Sequence, residues 1–232
     1  MRYRSVLITG ASRGIGRAIA ERLLADGHRI SLGLRNPEVS EIIPLASDQV
    51  VRHHYDALEP DSAKKWVDAT IDRWGGFDTL IHCAGILYTT PLLFEAGEEQ
   101  QLEDLWRVNL MGPWWLTRAA WSQLCISGSS RIQVLVSMSG KRVKGKMAGY
   151  PVSKFALMGL CQSMRNLGWN HGIRVTAICP SWVSTDMAVS TASVDPEAMT
   201  QPGDLASLSS TLLQLPNQSV PFELLLNCAF ET

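Results

Sequence analysis

The stretch Ser5-Val6-Leu7-Ile8-Thr9-Gly10-Ala11-Ser12-Arg13-Gly14-Ile15-Gly16 opens the chain with a short apolar run that leads directly into three closely spaced glycines. Glycines permit a tight turn and let the backbone approach a diphosphate closely. A helix that begins among them presents free N–H groups and a partial positive charge to the phosphates. A glycine-rich turn without any ligand is the alternative, but the position after a first strand favours a nucleotide site.

Apolar runs and helical patterns alternate along the rest of the chain. The runs are rich in Val, Ile and Leu, which is typical of strands buried on both faces. The predicted strands are Tyr3–Ile8, His28–Leu32, Gln49–Tyr55, Phe77–His82, Ile132–Ser137, Arg174–Ile178 and Phe222–Asn227. The predicted helices are Ile15–Ala25, Asp61–Trp74, Gln100–Cys125, Tyr150–Trp169 and Gly203–Leu215. This alternation predicts an α/β fold with a doubly wound, mostly parallel sheet flanked by helices on both faces.

Composition excludes several classes of protein. Hydrophobic residues make up 46% of the 232 residues, enough for a sizeable core in a single domain over residues 1–232. The formal net charge of −1 argues against nucleic acid as the main partner. Five cysteines without a C-x-x-C pair indicate reduced thiols in a cytoplasmic protein and no metal site. No apolar stretch approaches the roughly 18 residues needed to cross a membrane, so no membrane partner is expected.

The end of the second predicted strand bears on the choice between NAD and NADP. An NAD site places Asp or Glu about 20 residues after the glycines, where it holds the ribose hydroxyls. Here the position reads Gly33-Leu34-Arg35-Asn36, and Arg13 lies inside the glycine loop. Two guanidinium groups suit the 2′-phosphate of NADP, although both are also consistent with solvated surface arginines. Asp56, after the third strand, either accepts a hydrogen bond from adenine or is an ordinary turn residue.

The candidate catalytic group is Tyr150-Pro151-Val152-Ser153-Lys154, with Ser137 upstream. Positions i and i+4 lie on one face of a helix, which puts the phenol beside the ammonium group. A free tyrosine has a pKa of about 10, and a nearby positive charge lowers it. The pair is therefore predicted to transfer protons near neutral pH. Because a residue before proline is biased away from helix, Tyr150 is expected at the helix boundary.

These motifs together resemble the short-chain dehydrogenase/reductase (SDR) family, over nearly the whole chain. The resemblance is carried, in family order, by Thr9-Gly-x-x-x-Gly14-x-Gly16, Ala84-Gly85, Asn109, Ser137 and Tyr150-x-x-x-Lys154. It implies a Rossmann-type seven-stranded sheet, a nicotinamide cofactor and carbonyl–alcohol interconversion. It also implies a homodimer or homotetramer built on the family's fourth and fifth helices. The segment Ser184–Pro202 is poor in large apolar residues and carries two prolines, so it is predicted to be a mobile surface loop. This substrate loop is expected to line the substrate pocket together with Ile86–Phe94 and Gly140–Gly149.

The resemblance also implies a role for each matching residue. Tyr150 would be the general acid in reduction and the base in oxidation, and Ser137 would donate a hydrogen bond to the substrate oxygen. Lys154 would hold the nicotinamide ribose, and Asn109 would hold a water in a proton relay to Lys154. The predicted cofactor-binding residues are Gly10, Ser12, Arg13, Gly14, Ile15, Gly16, Arg35, Asp56, Ala84, Gly85, Tyr150, Lys154, Pro180, Val183 and Thr185.

Two residues depart from the family pattern and leave alternatives open. Cys83 replaces a frequent asparagine, so its loop is expected to be supported differently. Ser181 replaces a usual glycine and would be strained if that position needs a positive φ. The predicted function is NADP-dependent oxidation or reduction of a small alcohol or carbonyl compound. A 3-oxoacyl-thioester reductase is the alternative favoured by a basic cluster, and an NADP-binding sensor or scaffold without turnover is the other. The basic cluster consists of Lys141, Arg142, Lys144 and Lys146.

Overall fold

The computed structural model describes residues 3–38, 48–191 and 194–229. Two residues of the predicted substrate loop, 192 and 193, lie outside these ranges. The seven strands are β1 (Ser5–Thr9), β2 (Arg29–Leu34), β3 (Val50–His54), β4 (Thr79–His82), β5 (Arg131–Leu135), β6 (Arg174–Pro180) and β7 (Glu223–Leu226). The seven α-helices of these residues are α1 (Gly14–Ala25), α2 (Pro60–Trp74), α3 (Glu99–Trp106), α4 (Gly112–Ile126), α5 (Gly149–Gly168), α6 (Asp186–Val189) and α7 (Pro202–Gln214).

All seven strands pair in parallel in one sheet with the order β3-β2-β1-β4-β5-β6-β7. One apolar core contains Trp66, Leu116 and Leu157, on one face of the sheet. The other core contains Ile19 and Leu205 and lies on the opposite face. The predicted doubly wound α/β fold is therefore confirmed. Strand order reverses between β1 and β4, and such a reversal opens a crevice at the carboxyl ends of the strands.

The helix predicted over Gln100–Cys125 is interrupted. A π-helical turn over Arg107–Met111 separates α3 from α4, and the amide of Gly112 donates to the carbonyl of Arg107 five residues earlier. Pro113 explains the interruption, because proline has no N–H to donate to the carbonyl four residues before it. That carbonyl belongs to Asn109. The wider turn thus falls on one of the predicted catalytic residues, as π-helical turns often do.

The segment predicted as a surface loop at about 184–202 contains more structure than expected. The short helix α6 lies within it, and Val183 forms a parallel bridge with Thr200. Met199 is 4% exposed, so the far end of the segment is anchored by burial of an apolar side chain. No helix among the described residues combines the length and apolarity needed to cross a membrane.

Candidate active site

The glycine loop turns at the carboxyl end of β1 against the segment that follows β4. Gly10 has a φ of 67°, and a β-carbon there would lie 2.7 Å from the amide nitrogen of Ala84. A β-carbon on Gly16 would overlap the carbonyl group of Gly10, so neither position accommodates a side chain. Within the described residues, no side chain caps the N-terminus of α1, and its first turn carries no acid. This cradle fits a diphosphate.

Thr9 supports the segment after β4. Its Oγ1 accepts hydrogen bonds from the amides of Cys83 and Ala84, both at 3.0 Å. The Cys83 thiol stays neutral, because burial raises its pKa to about 12. The family's usual asparagine is absent from this loop, and the Thr9 hydroxyl supports the loop through these two hydrogen bonds. Thr9 stands in the quoted motif, but the motif alone did not indicate this role.

One cleft of about 680 Å³ lies at the carboxyl end of the sheet. Every predicted site residue except Asn109 lines it, from the glycine loop through Arg35 and Asp56 to Ser137, Tyr150 and Lys154. Leu87, Met147 and Met187 also line the cleft, and each lies in a segment predicted to form the substrate pocket. Two further apolar lining residues, Val108 and Trp182, lie outside those segments and were not predicted. Only the folded chain identifies these two, because they belong to no motif.

Ser137 is the one non-glycine residue of the described chain with a positive φ, at 140°. Such a conformation costs roughly 1–3 kcal/mol for a residue with a side chain. Two hydrogen bonds hold it: the amide of Gly140 donates to the Ser137 carbonyl at 2.9 Å, and the amide of Ser139 donates to its Oγ at 3.0 Å. The Ser137 side chain lies close enough to Tyr150 to lower the pKa of the phenol.

Tyr150 and Lys154 lie on one face of α5, as their spacing predicts. Tyr150 is the second residue of that helix, at its boundary, and Lys154 Nζ lies 5.6 Å from the centroid of its ring. The pKa of Tyr150 is raised to about 12. Burial causes this increase, and the interaction with Ser137 opposes it. Burial lowers the pKa of Lys154 to about 8. The expected lowering of the tyrosine pKa by lysine is therefore not seen, because loss of hydration on burial is the largest influence and it disfavours the phenolate.

Asn109 is completely buried and holds neighbouring elements together. Its Oδ1 accepts from the amide of Ile86 at 2.9 Å, and its Nδ2 donates to the Ile86 carbonyl and to Ser153 Oγ, both at 3.0 Å. Ser153 Oγ in turn donates to the Tyr150 carbonyl at 2.8 Å. These bonds connect the loop after β4 to the start of α5. The side chain of Asn109 does not line the cleft, and its role in a water relay stays a prediction.

The far end of the cleft carries the residues predicted to contact the adenosine portion. Arg35 follows β2, and its carbonyl is held by His54 Nδ1 at 3.0 Å. Arg13 lies 3.8 Å from Asp186 in an exposed ion pair, which contributes little by itself. Asp56 Oδ1 accepts from the amide of Leu58 at 2.9 Å, which is the ordinary turn role considered for it.

The strain considered for Ser181 is absent, since its φ is not positive. Its amide donates to the carbonyl of Leu226 at 2.8 Å, which extends the pairing of β6 with β7. Backbone strain in this part of the cleft falls on Ser137 instead. The serine at position 181 is thus compatible with the fold.

Comparison with known proteins agrees with this geometry. Residues 4–195 match the family described as short chain dehydrogenase. The chain is 36% identical over 216 residues to an agropine synthesis reductase of Rhizobium rhizogenes, covering 92% of this chain and 50% of that protein. It thus spans half the length of that relative. It is 29% identical to a 3-oxoacyl-[acyl-carrier-protein] reductase of Staphylococcus aureus, covering 79% of this chain and 76% of that protein.

Among solved structures, an alcohol dehydrogenase from the archaeon Thermococcus sibiricus complexed with 5-hydroxy-NADP superposes with a TM-score of 0.88. It is 28% identical to this chain, and the match covers 100% of this chain and 99% of that one. The match to the family extends over most of the chain, and the glycine loop, Ser137, Tyr150 and Lys154 share one cleft. The chain belongs to the short-chain dehydrogenase family.

Proposed function

We propose that this protein is an NADP-dependent oxidoreductase that transfers a hydride between nicotinamide and a small carbonyl or alcohol compound. The observation that carries the proposal is the meeting of Ser137, Tyr150 and Lys154 in the cleft that also contains the glycine loop. The proposal takes residues 1–232 as one dinucleotide-binding domain, and the sharing of one sheet by all seven strands supports this.

The residues of the cleft fit a dinucleotide with a 2′-phosphate. The glycine loop and the uncapped start of α1 would hold the diphosphate, and Lys154 would hold the nicotinamide ribose. Arg13 and Arg35 would hold the 2′-phosphate through charge-assisted hydrogen bonds. No carboxylate follows β2 at the position where NAD sites have one. The similar alcohol dehydrogenase complexed with 5-hydroxy-NADP adds support.

The cofactor supplies the hydride, and this chain's residues supply position and the proton. In reduction, Tyr150 would give its phenolic proton to the substrate oxygen while Ser137 donates a second hydrogen bond to that oxygen. In oxidation, the same phenol would take the proton of the alcohol. A lysine ammonium group beside the phenol would stabilise the phenolate left after each reduction.

Reduction of 3-oxoacyl thioesters is the second candidate. Arg142 and Lys144 of the basic cluster line the cleft, whereas Lys141 and Lys146 do not. A 3-oxoacyl-[acyl-carrier-protein] reductase is among the similar proteins. A binding protein without turnover is the third, but the intact trio of Ser137, Tyr150 and Lys154 counts against it.

A homodimer or homotetramer is part of the proposal. Trp106 on α3 and Trp114 on α4 are about half exposed, and Val152 and Phe155 present apolar surface on α5. An apolar surface on adjacent helices favours association with a second copy. The other two tryptophans of this region, Trp115 and Trp121, pack against the core instead. We place the protein in the cytoplasm, which is consistent with five free cysteines.

The test is consumption of NADPH and of NADH by the purified protein across ketones, aldehydes, sugars and acyl thioesters. Turnover with NADPH on at least one carbonyl class supports the proposal, and a preference for thioesters selects the second candidate. Tight NADPH binding without oxidation across the whole panel would favour the binding protein.

A further inference from the structure

His54, the last residue of β3, has a hydrogen-bond acceptor beside each of its two ring nitrogens. Nδ1 lies 3.0 Å from the backbone carbonyl oxygen of Arg35, and Nε2 lies 3.1 Å from Oε2 of Glu59. A carbonyl oxygen and a carboxylate oxygen accept hydrogen bonds and donate none. Both ring nitrogens donate at once only in the doubly protonated ring, because a neutral imidazole has a single N–H. The contacts of His54 therefore favour the imidazolium ion.

The charges around His54 act in the same direction. Its pKa is raised from the usual 6.5, mainly by the hydrogen bond with Glu59. The Arg35 carbonyl and the charge of Asp56 add to this increase, whereas partial burial opposes it. His53 contributes no positive charge, since burial lowers its pKa. The charged residues of α2 that line the same groove as His54 and Glu59 are Asp61 and Lys65.

His54 lies beside the adenosine end of the cleft. Its register partner in the sheet is Leu34, the residue directly before Arg35. Leu58 lines both the cleft, together with Arg35, and the groove that contains His54 and Glu59. The ring of His54 thus joins the peptide that carries the proposed 2′-phosphate ligand to a carboxylate at the start of α2.

Loss of the ring proton would change two properties of this end of the cleft. The neutral ring keeps one N–H, so it gives up its hydrogen bond to either Arg35 or Glu59, and the remaining bond is weaker without the charge of the ring. The Glu59 carboxylate would also lose its neutralising partner, which leaves a negative charge near the proposed phosphate site. Both changes disfavour a 2′-phosphate, whereas NAD has only hydroxyl groups at this position.

We infer that His54 is a positioning residue of the dinucleotide site: its protonated ring fixes the Arg35 peptide and neutralises Glu59, so that the preference for NADP over NAD weakens when the ring loses its proton. This inference rests on the proposed function and adds a residue that sets its cofactor preference. By linkage, NADP must in turn hold the proton on His54 more tightly than NAD does.

The protonation of His54 can be measured without turnover. The ring resonance that disappears in His54→Gln is followed by NMR from about pH 5 to pH 9. We expect its midpoint to lie above 6.5, to fall in Glu59→Gln, and to be higher with NADP+ bound than with NAD+ bound. A midpoint at or below 6.5, or the same midpoint with both dinucleotides, would overturn the inference.

The second measurement is the ratio of the dissociation constants of NADH and NADPH over the same pH range. Lys154 cancels from this ratio, because it would contact the nicotinamide ribose that both cofactors share. We expect the preference of the wild type for NADPH to fall by about threefold above the His54 midpoint, as for loss of one exposed ion pair. The 2′-phosphate gains its second charge at about pH 6, which raises the preference, so the cofactor itself cannot cause the fall.

Two substitutions of His54 separate its charge from its hydrogen bonds. His54→Gln can still donate one hydrogen bond but carries no charge, and it should show the lower preference at every pH. His54→Arg is charged throughout this range and should show the higher preference without the fall. His171→Gln is the matched control, since His171 is exposed and does not line the cleft, and it should behave as the wild type.

The results distinguish failure of this inference from failure of the proposed function. A wild type that prefers NADPH equally above and below the His54 midpoint, or an equal loss in His171→Gln, would overturn the role of His54 and leave the proposed function standing. Equal binding of NADH and NADPH by the wild type at every pH would refute the proposed preference for NADP, and the inference would fall with it.

Discussion

Lys154 Nζ donates a hydrogen bond to the carbonyl oxygen of Leu135 at 3.0 Å, so the helix α5 is tied to the end of β5 through a buried cation. Lys154 is only 5% exposed, and burial lowers its pKa from 10.5 to about 8. Cys83, Cys161 and Cys179 surround it, and none carries a charge at neutral pH because burial raises their pKa values. The site therefore holds a cation in an environment that disfavours it.

This lysine should make stability depend on pH in a defined direction. Below pH 8, Lys154 is charged in both the folded and the unfolded protein. The folded protein then bears the full free-energy cost of burying that charge. Between about pH 8 and 10.5 the unfolded chain binds the proton more strongly, so this contribution to stability rises with pH. We expect the stability advantage of Lys154→Met over wild type to shrink across this range, by up to about 3 kcal/mol. Urea unfolding at several pH values measures it, and a constant difference would contradict the burial argument.

Removing the phenolic hydroxyl should separate chemistry from cofactor binding. Tyr150→Phe removes the proton donor and should lower kcat by about 100-fold or more. The dissociation constant of NADPH, measured by its fluorescence, should change by less than about threefold, because the aromatic ring stays in place. Tyr88→Phe is the control, since Tyr88 does not line the cleft. Full activity in Tyr150→Phe would exclude this phenol as the proton donor.

Arg35 should set the preference between the two dinucleotides. Arg35→Asp replaces the proposed 2′-phosphate ligand with a carboxylate that can accept from the ribose hydroxyls of NAD. The ratio of kcat/KM for NADPH over NADH should fall by about tenfold or more, as loss of a charge-assisted pair implies. Arg29→Asp makes the same change at the opposite end of β2 and should leave the ratio intact. An unchanged ratio in both variants would refute the assignment of Arg35.

Thr9 should be needed as a hydrogen-bond acceptor, not as a packing group. Thr9→Val keeps the shape but leaves the amides of Cys83 and Ala84 unpaired, which costs about 1–3 kcal/mol. We expect a lower urea midpoint and weaker NADPH binding, because the displaced segment lines the cleft. Thr9→Ser retains the hydroxyl and should recover most of both losses. Equal stability of the valine and serine variants would show that these hydrogen bonds contribute nothing.

Asn109 should contribute mainly to the stability of the folded protein. Asn109→Leu leaves both polar groups of the Ile86 backbone without their partner, and we expect a loss of stability of about 2–4 kcal/mol. Asn109→Asp keeps the acceptor for the Ile86 amide but loses both donated bonds, so its loss should be intermediate. The order of the three proteins in urea unfolding is the measurement. A leucine variant as stable as wild type would remove the structural role assigned to this amide.

The positions of the strands and part of the candidate site could be predicted from local sequence patterns. The seven strands were predicted within a few residues of their observed ends, because most of them are short runs rich in Val, Ile and Leu, which are typical of strands buried on both faces. Tyr150, Lys154 and the glycine loop were proposed as site residues from short motifs, and they line one cleft, whereas Arg35, Asp56 and Asn109 belong to no such motif. One local signal was overlooked. Pro113 lies inside the predicted helix Gln100–Cys125, and its missing N–H was sufficient reason to expect a break near Asn109.

By itself, the sequence determined the order of the elements, the glycine loop and the four-residue spacing of Tyr150 and Lys154, since backbone geometry over a few residues decides each of them. Tertiary structure alone decided the positive φ of Ser137, the hydrogen bonds of Thr9 and Asn109, and the division of the basic cluster between cleft and surface. It also decided the pKa directions of Tyr150 and Lys154. These features depend on burial and on contacts between segments distant in sequence, and no local pattern encodes how much water a folded site excludes.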